Sequence, residues 1–72
     1  MLKQYDSAVA DFNKSLEINP LWPDTFYGRA LTRFDMGDIR AALEDIDKAI
    51  KLNPEFKQAF RFKQYLLNQQ FE

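Results

Sequence analysis

The chain has 72 residues, ten basic and eleven acidic, for a formal charge of −1, so neither nucleic acid nor an anionic membrane is expected as a partner. It contains no Cys and no His, which excludes disulfides, thiolate metal sites and His-based catalytic triads. Apolar residues make up 46% and aromatics 15%, too many for intrinsic disorder, and only two Gly and three Pro interrupt the chain, which favours long helices over many short strands.

No apolar run approaches the roughly 20 residues that span a bilayer. The opening stretch MLKQYDSAVA lacks the apolar centre of a secretory signal. The expectation is a soluble, cytoplasmic, all-α module without metal or cofactor.

Four helices are predicted, at about 5–19, 23–36, 39–52 and 55–70. The first is stopped at Asn19, because a residue preceding Pro is pushed out of the α region. Pro23 suits the first turn of the second helix, where its missing N–H is not needed. Gly37 suits the position just past that helix and Asp38 the N-cap of the next. In the third helix Ile39, Ala42, Leu43, Ile46, Ala49 and Ile50 form one apolar stripe of helical period. Its opposite side carries Arg40, Glu44, Asp47, Lys48 and Lys51, with Glu44/Lys48 and Asp47/Lys51 as i,i+4 pairs. Asn53 before Pro54 ends it as Asn19 ends the first. On a helical wheel the fourth helix gathers Phe56, Phe60, Leu67 and Phe71 on one face, with Phe62 and Tyr65 further round.

The chain repeats itself. The two Asn-Pro pairs are 34 residues apart, and that offset lays YDSAVADFNKSLEINP over IRAALEDIDKAIKLNP. Ala8 falls on Ala42, Asp11 on Asp45, Lys14 on Lys48, Asn19 on Asn53 and Pro20 on Pro54. Apolar type is kept at Phe12/Ile46 and Leu16/Ile50, and beyond the Asn-Pro at Trp22/Phe56, Phe26/Phe60 and Leu31/Tyr65.

A helix-turn-helix unit of this length, with Phe26 near its start, small residues at Ala30, Ala42 and Ala49, bulky Ile46 and closing Pro54, resembles the tetratricopeptide repeat (TPR). The resemblance implies an α-α superhelical solenoid in one domain over 1–72. Residues 5–20 are then the second helix of a partial repeat, 23–54 a complete repeat, and 55–72 the first helix of a partial or capping repeat. Two positions depart from the pattern: Arg33 stands where a large apolar residue is usual, and Gln64 stands where Ala30 has its counterpart.

The resemblance also implies a concave groove, lined by first helices, that binds a protein or peptide. It places Asp24, Tyr27, Gly28, Leu31, Phe34 and Asp35 in the groove from one first helix, and Gln58, Arg61, Phe62, Tyr65, Asn68 and Gln69 from the other. The Lys, Asn and Arg set that clamps a terminal carboxylate in some relatives is absent. The expected site is therefore apolar and aromatic (Tyr27, Leu31, Phe34, Phe62, Tyr65), edged by Arg61 and Asp35, unless these rings belong to the core. Tyr5, Phe12, Phe60, Leu67 and Phe71 leave apolar surface at the two end helices. The alternative function is thus a self-assembling structural unit, a homo-oligomer joined head-to-tail or by domain swapping, unless further repeats of a longer chain cover those faces.

Arg29, Arg33 and Arg40 form either a basic patch for phosphate or acidic ligands or, as the ordinary alternative, partners for Asp45 or Asp47. Asp45 and Asp47 diverge by about 200° around a helix and cannot share a proton or metal. With no Gly-rich phosphate loop and no metal-spaced cluster, no enzyme activity is expected.

Overall fold

The computed structural model describes residues 5–70 as four helices and, among those residues, no strand: α1 (Tyr5–Ile18), α2 (Pro23–Asp35), α3 (Ile39–Leu52) and α4 (Lys57–Gln70). Phe71 lies outside the described residues. Each helix packs on its neighbour in the chain, most extensively α2 on α3. The principal extents are 35 × 34 × 15 Å. Every helix keeps a solvent-exposed face. None is long and apolar enough to cross a membrane.

Local chemistry sets the helix ends. Trp22, before Pro23, is extended at φ −96° and ψ 104°, and Pro23 opens α2. At the α2–α3 junction Gly37 takes φ +89°; its N–H donates to Phe34 O at 2.9 Å and that of Asp38 to Arg33 O at 2.9 Å. These two bonds form a Schellman turn, which returns orphaned carbonyls of the last helical turn to use. Asp38 then caps α3, its carboxylate accepting from Ala41 N at 3.1 Å. Asn19 and Asn53 do the same work 34 residues apart: each side-chain oxygen accepts from the N–H two residues on, Leu21 and Glu55, at 3.2 Å.

α4 starts two residues later than its pattern suggests. The Asn53 turn carries Pro54 and Glu55 as a loop, Phe56 N donates to Asn53 O at 3.0 Å, and the helix winds from Lys57. The i,i+4 pairs Glu44/Lys48 and Asp47/Lys51 give way to partners on other helices. Asp47 takes Lys63 of α4 at 2.8 Å, and Lys48 lies over the Phe26 ring.

The core consists of Phe26 and Ala30 from α2, Ala42, Ile46 and Ala49 from α3, and Ala59 and Leu66 from α4. Ala30, Ala42 and Ala49 are completely covered, the small residues letting α2 and α3 approach closely. α1 contributes no fully buried residue. Leu16 packs against this core, and Phe12 lies against Gly28: a β-carbon on Gly28 would stand 2.8 Å from ring atoms Cε1 and Cζ of Phe12, so only glycine gives the ring this seat. Phe12 is thus partly used within the chain.

Asp45, buried in α3, binds Arg29 through a two-point fork, Nε to Oδ2 at 2.9 Å and Nη2 to Oδ1 at 2.7 Å. Arg29 also donates to Asn13 Oδ1 of α1 at 2.6 Å, tying three helices together. Arg33 comes within 3.6 Å of the same carboxylate, which explains how a charged residue occupies a position expected to be apolar.

Candidate interaction groove

α2 and α4 are successive first helices of the repeat, and residues on equivalent faces of the two come together. Tyr27, Leu31 and Phe34 are spaced i, i+4, i+7 on α2, and Phe62 and Tyr65 are spaced i, i+3 on α4, the spacings that put side chains on one helix face. Their rings join in one string. Phe56 lies 5.0 Å from Tyr27, Tyr27 lies 6.2 Å from Phe62, Phe62 5.6 Å from Phe34, and Phe34 5.5 Å from Tyr65. Three of these four pairs are edge-on and Tyr27–Phe56 is tilted, geometries that suit the ring quadrupoles.

The string has a floor and a rim. Tyr27, Phe34, Phe56 and Phe62 are half-buried and pack against the core. Tyr65 remains 47% exposed and Leu31 38%. Asp35, the last residue of α2, is exposed. Arg61 does not join the rings; with Pro54, Glu55, Lys57 and Phe60 it lines a separate open depression of about 450 Å³. Gly28 turns toward Phe12 of α1.

Phe56 corrects the wheel-based expectation that sets it beside Phe60 on the far face. It precedes the first turn of α4, so the helical period does not govern its direction, and the Asn53 turn swings its ring onto Tyr27. The signal available in the sequence was its place immediately after Asn-Pro-Glu.

Of the residues read as apolar ends, Tyr5 and Leu67 are half-buried and Phe60 is 48% exposed. The phosphate-patch reading loses two of its three arginines, since Arg29 and Arg33 face Asp45, while Arg40 is exposed. Among the described residues no group of three or more acidic side chains is placed to hold a metal ion, and no buried side-chain polar atom lacks a partner.

The sequence pattern described as tetratricopeptide repeat matches residues 23–56, and a second pattern of the same description matches 2–20. Among curated proteins the chain is 33% identical over 58 residues to the small glutamine-rich tetratricopeptide repeat-containing protein 2 of Mycosarcoma maydis, covering 81% of this chain and 16% of that protein. It is 33% identical over 55 residues to a tetratricopeptide repeat and J domain-containing co-chaperone of Cryptococcus neoformans, covering 76% and 10%. A U-box domain-containing protein of Oryza sativa is 33% identical over 58 residues, covering 81% and 7%. The chain therefore spans no more than about a sixth of these relatives. No solved structure matches it.

Proposed function

Because this chain belongs to the tetratricopeptide repeat family, we propose that it is a non-catalytic binding module that takes a peptide or protein segment on the aromatic surface shared by α2 and α4. The family consists in general of protein-interaction modules without catalysis, and a relative named as a co-chaperone fits a protein partner.

The observation that carries the reading is the continuity of the ring string. Four rings anchored in the core hold the surface rigid, while Tyr65 and Leu31 stand out of it from different helices. Rigid aromatics lose little conformational entropy on binding and are the residue type that most often anchors an interface. An apolar segment with hydrophobic side chains at two points suits this surface better than a charged terminus, because neither Leu31 nor Tyr65 offers a charge.

The test is selection of peptides from a displayed random library on the 72-residue chain, followed by fluorescence anisotropy. Replacing Leu31 and Tyr65 with Ser together should weaken the selected peptides at least tenfold, measured at a temperature where circular dichroism shows the double variant fully folded. Failure to select any peptide, or binding indifferent to both substitutions, overturns the reading.

A further inference from the structure

The 34-residue offset supplies an internal template for a surface that the described helices leave open. We propose that α1 of a second copy of this chain docks on the outer face of α4, in the place that α3 takes on α2.

The apolar surfaces correspond one to one. On α2, Phe26 and Ala30 are buried under Ala42, Ile46 and Ala49 of α3. The counterparts on α4 are Phe60 and Gln64, both exposed. The counterparts on α1 are Ala8, Phe12 and Ser15, none of them fully buried. Ile46 is wholly enclosed, whereas Phe12, its equivalent, is enclosed only in part.

The charges correspond as well, and they commit the face to this occupant. Arg29 has two partners, Asn13 behind it and Asp45 in front. Its equivalent Lys63 already has the equivalent of Asn13, since Asp47 lies at 2.8 Å. The equivalent of Asp45, for a docked copy, is Asp11, which is exposed and makes no ion pair among the described residues.

At the far end of the interface, Pro20, Phe26, Lys48, Lys51 and Leu52 line a shallow depression of about 230 Å³ between α2 and α3. On α4 the same place is the open depression lined by Pro54, Glu55, Lys57, Phe60 and Arg61. A docked α1 brings Lys14, Glu17 and Ile18 to it. Lys14 then lies over Phe60 as Lys48 lies over Phe26, and Ile18, 83% exposed, is covered. The residue equivalent to Lys51 of the α2–α3 depression is Glu17, and the α4 depression is the one that Lys57 and Arg61 line. Docking thereby brings Glu17 to a depression lined by two bases, Lys57 and Arg61, against one acid, Glu55. Because the two docked surfaces differ, the contact is head-to-tail and propagates instead of closing as a two-fold dimer.

Sedimentation velocity on the chain from about 10 µM to about 1 mM should show mass rising with concentration. Glu17→Lys and Lys57→Glu, each alone, should weaken association at least tenfold, and an equimolar mixture of the two variants should restore it. Neither change threatens the fold: a base in the last turn of α1 and an acid in the first turn of α4 both suit the helix dipole. Phe60→Ser should abolish association with the circular dichroism unchanged. A chain that stays monomeric throughout, association indifferent to both charge reversals, or a mixture that stays dissociated overturns the proposal. Association lost instead in the Leu31 and Tyr65 variant would place self-contact in the groove and overturn it too. Peptide binding retained by Phe60→Ser keeps the two readings separately testable.

Discussion

Arg29 and Asp45 are joined by two hydrogen bonds of 2.9 and 2.7 Å across the α2–α3 interface, with the Asp45 carboxylate almost wholly shut off from solvent. A buried charge with good partners contributes less to stability than it costs when one partner is taken away. Asp45→Ala, which leaves Arg29 and Arg33 facing a void, should therefore destabilise by about 3 kcal/mol in urea unfolding. At about 0.05–0.15 kcal/mol per residue, that is a large part of what a domain this small possesses. Replacing the set by apolar residues, Arg29→Met with Arg33→Met and Asp45→Leu, should recover most of the loss. A triple variant no more stable than Asp45→Ala would count against this account.

Gly28 and Phe12 form a second coupled pair. Alanine in a helix interior is favoured over glycine by about 1 kcal/mol, but at Gly28 the new methyl meets the Phe12 ring. Gly28→Ala should thus be about 1 kcal/mol more favourable in a Phe12→Ala background than in the wild type. A double-mutant cycle by thermal unfolding measures this, and additive effects would show that the ring is not held there.

The α2–α3 junction carries its own test. Gly37→Ala places a side chain at φ +89° and should cost about 1–2 kcal/mol, with Gly37→Asn costing less because Asn tolerates that region. Asp38→Ala removes a cap and should cost about 1 kcal/mol. Because Gly37 has no neighbour within 4 Å of a built β-carbon, a loss at Gly37→Ala reports backbone strain alone.

Floor and rim of the ring string should separate on substitution. Phe62→Ala opens space beside Tyr27 and Phe34 and should cost about 3 kcal/mol. Tyr65→Ser, half in solvent, should cost about 1 kcal/mol or less. Chemical unfolding of the two variants checks this; equal losses would mean that Tyr65 belongs to the core and is unavailable as an anchor.

Pattern and punctuation in the chain announced a great deal. The stripe Ile39–Ile50, the glycine and aspartate at 37 and 38, and the two Asn-Pro pairs mark helices whose ends the structure moves by no more than two residues. The same residues carried the family resemblance, and it was the resemblance that implied Tyr27, Phe34, Phe62 and Tyr65 as lining residues. Helical period and turn chemistry act over a few residues, so one strand of text suffices to read them.

Other features depended on distances between helices. Whether Arg33 would be stranded or paired turned on how near α3 brings Asp45. Phe56 reached Tyr27 because a turn, outside any helical period, aimed it there. Phe12 found its seat because α1 crosses α2 at the one residue without a β-carbon. The amino-acid order by itself determined that there are four amphipathic helices in two repeating units. Only the packed structure decided which side chains meet, because those meetings depend on angles and separations that accumulate over the whole fold and are encoded at no single position.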